Sequence, residues 1–413
     1  MNATSRGGVM IESEVEAYAV PGFLANGIHV GIKEGGRKDL ALIFSGAPAK
    51  AAGVFTGNCF KAAPVLLDME RIRGGMAQAI LANSGNANAA TGQEGYKDAL
   101  AMSRGISEKL GIRDELVLVA STGVIGNRLP IRKIEAGMGR LAEGLHTNGI
   151  PDAEEAIMTT DTFPKIASRK GMVGSKEVTL CGIAKGAGMI EPSMATMLAF
   201  FMTDADIDHH TLNTIFRQAA NKSFNAITVD GCMSTNDTAI ILANGVAGNN
   251  PIKRPSRYLT IFKEMLFSVT SYLAQSIVRD GEGATKLIEI VVEEARSTDD
   301  AKKVACKVAN SNLVKTAFFG GDPNWGRIVS AIGSAGVPLT VDAVCIYLEE
   351  IPVFAGGRGI AGGEKRLSEI MGKTDIRVRI KLGMGNKKFR IHTSDLSFDY
   401  IKINALYHIP LAN

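Results

Sequence analysis

The stretch Cys181–Phe201, CGIAKGAGMIEPSMATMLAFF, runs from small, flexible residues into an apolar run that reads as a buried strand. Between the two lies Thr196, preceded by Ala195, and the stretch contains no His or Asp to activate a hydroxyl. One explanation is plain: β-branching favours extended backbone, so threonine often opens a strand. The other is chemical. If the Ala195–Thr196 bond is broken, Thr196 gains a free α-amine with an unperturbed pKa of about 7.7–8.0. That amine is partly neutral near pH 7 and can take the proton from the hydroxyl of its own residue, so no histidine is needed. The same hydroxyl can first attack the Ala195 carbonyl, shifting the chain from nitrogen to oxygen before water releases it. Small Ala195 leaves room for the ring this requires, β-branching restricts χ1 of the nucleophile, and the upstream glycines let the freed end withdraw.

On either side of this stretch, short apolar runs closed by Gly, Asn or Ser alternate with helical spacing. DLALIFSG, AAGVFTG and AQAILANSG read as three strands, and ELVLVASTG as a fourth. GQEGYKDALAMSRGISEKLG, LPIRKIEAGMGRLAEGL, a segment from His209 to Lys222 and RPSRYLTIFKEMLFSVTSYLAQSIVRDG read as helices, with a short one at PDAEEAIMTT. KEVTLCGIAKG, MLAFFMTDA, NAITVDG and TAIILANG supply further strands. The last third gives the strand ATKLIEIVVEEA, the capped helix STDDAKKVACKVANSN, then strands at AVCIYLEE, DIRVRIKLG, KFRIHTS and FDYIKINAL. Strands joined by short turns and separated by helices indicate layered α/β sheets covered by helices. The tail reads as a smaller α+β domain, with a boundary near residues 285–295, dividing the chain into 1–290 and 291–413.

The totals exclude several classes. With 413 residues, 46% hydrophobic and 21% charged, the chain suits an ordinary globular protein with a large core. A net charge of +4 without a basic run, and one Trp, do not make a nucleic-acid surface. No apolar run reaches the roughly 18 residues a membrane span needs. The opening MNATSRGGVMIESEVEAY has no signal-peptide pattern, so a cytoplasmic protein is expected. Cys59, Cys181, Cys232, Cys306 and Cys345 are odd in number and form no C-x-x-C pair, which predicts reduced core thiols rather than disulfides or zinc. His209-His210 reads as the first turn of a capped helix, and no metal site is expected.

Other segments carry two readings each. GGRGIAGGEK has dinucleotide-fingerprint spacing, but Pro352 interrupts the approach and a hairpin loop is the better reading. Asn83, Asn86 and Asn88 either offer amides to a ligand or make tight turns. Thr122 and Gly123, after ELVLVA, form a plain turn or aim backbone N–H groups at a developing oxyanion. Lys185 in AKGAG is a cation for a carboxylate or a solvated loop lysine; Glu282 in DGEGATK is an ammonium receptor or a solvated turn charge. FGGDPNWGRI predicts a helix at Trp325 capped by Asp322.

Together, DLALIFSGAPAKAAGVFTGN, NSGNANAATG, STGVIG, MTTDT, GIAKGAGMIEPSMATMLAFF, ITVDGCMSTNDT, VRDGEGATK, VKTAFFGGDPNWGRI and DLSFDYIKINALY span nearly the whole chain. On these segments it resembles the glutamate N-acetyltransferases of the cyclic arginine pathway, also called ornithine acetyltransferases. The resemblance implies a helix–sheet–sheet–helix sandwich with a smaller C-terminal domain, and a precursor cut between Ala195 and Thr196 into an α chain, 1–195, and a β chain, 196–413. It implies that Thr196 carries an acetyl group from acetylornithine to glutamate, giving ornithine and N-acetylglutamate with ping-pong kinetics. Thr122 and Gly123 fall at the family's oxyanion hole, and Thr159, Lys185, Thr196, Glu282 and Asn404 where it holds substrate. No cofactor is implied; some members accept acetyl-CoA as a donor. The α and β chains would stay together in an oligomer of αβ pairs. Two departures stand out: Ile409 replaces a Ser or Thr that touches substrate, and Ala90 and Ser394 stand where many members have Cys. An aminopeptidase or amidase of the same architecture, with water relieving the acyl-enzyme, is the nearest rival. A non-catalytic metabolite sensor is the rival from another class.

Overall fold

The structure is a computed structural model that describes residues 18–191 and 197–406. Ala195, Thr196 and Ile409 therefore lie outside the described residues. The chain divides into two compact units, one from Met1–Gly186, Ser193–Asn225 and Met233–Ala274, the other from Ala187–Pro192, Ala226–Cys232 and Gln275–Asn413.

The first unit is built on strands β1 (Phe23–Ile28), β2 (Leu40–Phe55), β3 (Met76–Asn86), β4 (Val117–Val124), β5 (Ile166–Val173), β6 (Lys176–Lys185), β7 (Leu198–Thr203) and β9 (Thr238–Ala243). Their order is β4-β3-β2-β9-β7-β6-β5, with β1 also beside β2. The pivot is the 16-residue β2. Its first half pairs with β1 and β3, its second half with β9, and the ladder to β3 shifts register between Phe44 and Ala49. The segment between them contains Gly46 and Pro48, and proline cannot donate to a ladder. The sequence predicts two strands and a turn here; instead the Gly46 N–H donates to the Gly22 carbonyl at 2.9 Å and the strand continues.

This one strand lets the sheet fold back into two facing layers. Ala41, Ile43, Ile80, Leu118 and Ala120 from one half pack in the same buried core as Ile183, Leu198, Phe200, Ile240 and Leu242 from the other. Outside the first layer lie helices α1 (Ala63–Arg71), α2 (Gly92–Leu110) and α3 (Ile131–Glu143), which share a second core with Leu42, Leu81 and Val119. α4 (Ile150–Ile157) adds four residues to the central core. Outside the second layer lie α5 (His209–Lys222) and α6 (Arg257–Arg279), with Phe216 of α5 edge-on to Phe201 at 5.5 Å. The result is the expected helix–sheet–sheet–helix sandwich. The caps agree too: Asp208 accepts from the Thr211 N–H at the start of α5, and Gly111 ends α2 at φ 66°.

The second unit holds a seven-stranded sheet, β13-β12-β11-β14-β10-β15-β8. Its strands are β8 (Ile227–Thr228), β10 (Leu287–Ala295), β11 (Cys345–Leu348), β12 (Ile351–Ala355), β13 (Arg358–Gly359), β14 (Asp375–Lys381) and β15 (Lys387–Ser394). Helices α7 (Thr298–Ala309), α8 (Asn312–Phe319), α9 (Trp325–Gly333) and α10 (Glu364–Met371) close its core. The glycine-rich GGRGIAGGEK is a hairpin, β12 to β13, followed by a loop into α10. A Cβ on Gly359 would lie 2.2 Å from the Trp325 ring, so close packing accounts for that glycine.

Three expectations are corrected. FDYIKINAL is not a strand but helix α11 (Phe398–Ala405), because Ser397 caps it by accepting from the Tyr400 N–H at 3.3 Å and Asp399 sits in its first turn. The cap of α9 is Asn324, which accepts from the Arg327 N–H at 3.1 Å, not Asp322. The five cysteines are free, but only Cys181 is buried, while Cys59 and Cys232 are exposed in polar loops.

Candidate active site

Two strand ends in facing layers meet in the first unit. β4 ends at Thr122, Gly123 and Val124, and β6 ends at Lys185. The Lys185 side chain is buried, and its Nζ donates to the Thr122 Oγ1 at 3.3 Å. Gly123 has φ 136°, and a Cβ there would sit 2.3 Å from the Gly85 carbonyl carbon and 2.5 Å from the Asn86 nitrogen. Only glycine fits this close approach of β3 and β4.

Asp161 organises the loop that carries Thr159. Its carboxylate accepts from the Thr159 N–H at 2.8 Å, the Gly186 N–H at 2.7 Å and the Lys165 Nζ at 2.8 Å. The side chains of Asp161 and Lys165 are both 0% exposed. Burial alone would raise the Asp161 carboxyl; Lys185, Lys165 and the N–H donors overcome it and hold the group well below the usual carboxylate range. Glu154 accepts from the Lys165 N–H at 2.8 Å, and burial, joined by the nearby Asp161 charge, pushes it up to about 8. It is thus mostly neutral at pH 7.

Lys33 adds a third cation. Its Nζ donates to the Met158 carbonyl at 3.0 Å, and burial, with Arg37 and Lys185 nearby, pushes it down to about 8. The loop bearing it is wrapped around buried Asp39, which accepts from the N–H groups of Val30, Gly31, Ile32 and Lys33. Among the described residues, Lys33, Lys165 and Lys185 stand with Asp39 and Asp161 in this cluster.

The asparagine cluster resolves toward scaffolding. Asn83 donates to the Asn86 carbonyl, Asn86 to the Asn127 and Arg128 carbonyls, and Asn88 to the Gly95 carbonyl. Asn236 joins this lattice through the Ala87 and Ser121 carbonyls. These amides fix the ends of β3 and β4, and with them Thr122.

Within the second unit, Glu282 and Asn404 come together: the Asn404 Nδ2 donates to the Glu282 Oε2 at 2.9 Å. The Glu282 N–H donates to the Ala187 carbonyl at 2.8 Å, and a Cβ on Gly188 would lie 2.5 Å from the Glu282 carboxyl carbon. Ser394 takes a structural part, accepting from buried Lys315 at 3.1 Å.

Of the residues singled out by sequence, Thr122, Gly123, Thr159 and Lys185 share one buried polar cluster, and Glu282 and Asn404 form a second group. Asp161, Lys165 and Lys33 were missed. MTTDT drew notice as a segment, but nothing in it distinguishes a buried Asp from a loop Asp. Among the described residues, no group of His, Cys, Asp and Glu could hold a metal, and no helix is long and apolar enough to cross a membrane.

A protein-family model described as the ArgJ family matches residues 24–409. The arginine biosynthesis bifunctional protein ArgJ of Geobacter sulfurreducens is 50% identical over 390 residues, 94% of this chain and 99% of that protein. The protein of the same name from Caldanaerobacter subterraneus is 47% identical, over 94% of this chain and 96% of that one. A crystal structure of ArgJ from Bacillus halodurans, at 36% identity and a TM-score of 0.48, covers 49% of this chain and 95% of that chain. With the family match running over nearly all of its length, the chain belongs to the ArgJ family.

Proposed function

We propose that this member of the ArgJ family, an acyltransferase of arginine biosynthesis, cuts itself between Ala195 and Thr196 and then moves an acetyl group from N2-acetyl-L-ornithine to L-glutamate through acetyl-Thr196. The observation that carries this reading is the buried Lys185 on the Thr122 hydroxyl, beside a glycine whose place no other residue can take.

In this scheme the Thr196 amine removes the proton from its own hydroxyl, and Oγ attacks the acetyl carbonyl. Negative charge gathers on the carbonyl oxygen, where Thr122 and Gly123 stabilise it; one such donor contributes roughly 2.7–4 kcal/mol. The carbon–nitrogen bond breaks, the Thr196 ammonium returns the proton to the leaving amine, and ornithine departs. Glutamate then runs the steps in reverse. Thr159, Lys185, Glu282 and Asn404 hold the substrates, Lys185 meeting a carboxylate and Glu282 the distal ammonium of ornithine. The same acyl-enzyme can be loaded from acetyl-CoA, a second candidate donor. The reading includes α and β chains that stay associated as αβ pairs, assemble into an oligomer and act in the cytoplasm.

Intact mass spectrometry of the purified protein, before and after acetylornithine, tests it. Two chains, 1–195 and 196–413, with one acetyl added to the second, are expected, and Thr196→Ala stays uncut and inactive. A cut and active Thr196→Ala protein overturns the scheme. Ornithine release that needs no glutamate points instead to a hydrolase.

A further inference from the structure

The loop between β1 and β2 carries Lys33, and three sets of contacts in the first unit fix where that side chain runs. Asp39, 0% exposed, gathers the N–H groups of Val30, Gly31, Ile32 and Lys33 on its carboxylate at 2.7, 3.1, 2.6 and 3.0 Å. Its own carbonyl accepts from the Ser84 N–H of β3 at 2.9 Å, which ties the loop to β3 one residue before Gly85. The Lys33 stem lies across that glycine: a Cβ on Gly85 would be 3.0 Å from the Lys33 Cγ. Gly85 stands opposite Gly123 in the β3–β4 ladder. The Lys33 Nζ ends on the Met158 carbonyl at 3.0 Å, and the Arg37 Nη1 from the same loop reaches the Thr159 carbonyl at 3.5 Å. One side chain thus runs from the Gly85–Gly123 pair to the residue before Thr159.

The covalent structure of the donor makes this placement matter. In acetylornithine the α-carboxylate carbon is three bonds from the acetyl carbonyl carbon, and bond lengths of about 1.33, 1.46 and 1.52 Å keep the two within roughly 4 Å. A site that holds the carbonyl at Thr122 and Gly123 therefore holds the carboxylate close by. Lysine presents three donors on a rotatable head, of which the Met158 carbonyl takes one. An ammonium meeting a carboxylate forms a charge-assisted bond, roughly twice as strong as a neutral one. We propose that Lys33 is a further substrate-binding residue, whose ammonium donates to the α-carboxylate common to acetylornithine and glutamate, together with Lys185.

The assignment deepens the acetyl-transfer reading above and rests on it. Burial pushes Lys33 down to about 8, with Arg37 and Lys185 acting in the same direction and Asp39 and Asp161 against it. Around the loop, His29 faces the Asp39 carboxylate at 3.3 Å, Lys133 of α3 takes the Gly31 carbonyl at 2.6 Å, Lys38 turns to Asp152 and Glu155, and Glu34 is exposed. The ammonium is therefore present at neutral pH and is lost as pH rises through about 8. A carboxylate bound to it holds the proton in place.

Acetyl transfer by the wild type is measured first: a wild type that takes no acetyl from acetylornithine overturns the parent reading, and this assignment with it. With transfer established, kcat/KM of wild type and Lys33→Met is compared for acetylornithine and for N-acetyl-1,4-diaminobutane, which is acetylornithine without its carboxylate. Methionine keeps a stem against Gly85 and removes the charge. The preference for acetylornithine over the analogue is expected to fall about 10–100-fold, the range for a hydrogen bond to a charged group. An unchanged preference overturns the assignment, because a merely structural lysine would slow both substrates alike. Lys33→Arg reads the same contact through pH. The wild-type kcat/KM for acetylornithine is expected to fall above about pH 8, by up to about tenfold per unit, whereas arginine stays charged and holds it level to about pH 9. A profile unchanged in the arginine variant overturns the assignment, and this measurement decides if Lys33→Met does not fold or the analogue is not turned over.

Discussion

Replacing Asp161 by asparagine removes the carboxylate that pairs with Lys165 inside the first unit at 2.8 Å with both side chains wholly buried. Breaking a buried pair by deleting one partner typically costs about 3–5 kcal/mol, because the remaining charge stays in low dielectric. Asparagine also has a single acceptor oxygen, whereas the carboxylate uses both: Oδ2 takes the Thr159 N–H, and Oδ1 takes the Gly186 N–H and Lys165. At least one of these donors therefore loses this acceptor, a loss already contained in that range. A unit of about 150–250 residues shifts its melting temperature by about 2–4 °C per kcal/mol. A fall of roughly 10 °C is expected by scanning calorimetry at neutral pH. The pH dependence follows from the direction of the Asp161 shift, which is downward. A carboxyl depressed in the folded state contributes stability above its unfolded pKa, about 3.9, and loses it as pH falls through the folded value. The gap between wild type and variant should therefore hold steady from pH 8 to about pH 5 and narrow only below about pH 4. A melting temperature within about 2 °C of wild type, or a gap that closes by pH 6, would refute the buried-pair account.

Gly123→Ala places a Cβ 2.3 Å from the Gly85 backbone in a left-handed region; a kcat lower by about 10²–10³-fold is expected, and an alanine variant with wild-type kcat would remove Gly123 from the oxyanion site. Glu154 is raised to about 8 in the folded state, so its contribution is fully present below the unfolded pKa, about 4.3, and is lost as pH rises through about 8. Glu154→Gln should flatten that decline in urea-unfolding free energy between pH 5 and 8; an unchanged slope would show that Glu154 does not carry it.

Much of this protein was legible in the residues alone. Apolar periodicity and turn chemistry are local, so the strands at β3, β4, β6 and β7, and the helices α2, α5 and α6, follow from sequence. The capped starts of α5 and α7 do as well, at Asp208 and Ser297. The threonine with its small predecessor was conspicuous because an N-terminal nucleophile needs only its own amine. Family likeness then attached roles to Thr122, Gly123, Thr159, Lys185, Glu282 and Asn404.

Other features were decided by contacts distant in the chain. Whether SGAP turns back or continues depends on Gly22, which takes the Gly46 N–H. Whether FDYIKINAL is strand or helix depends on Ser397, whose hydroxyl accepts from Tyr400 and donates to the Gly283 carbonyl at 2.6 Å. Asp161 and Asp237 look like any aspartate between polar neighbours until the fold buries them, one against Lys165 and the other beneath Met197. Sequence determined which groups can do the chemistry, because reactivity belongs to residue type and covalent neighbour. The tertiary structure decided which are charged and what they face, because solvation and Coulomb energy depend on burial and distance, and neither is written along the chain.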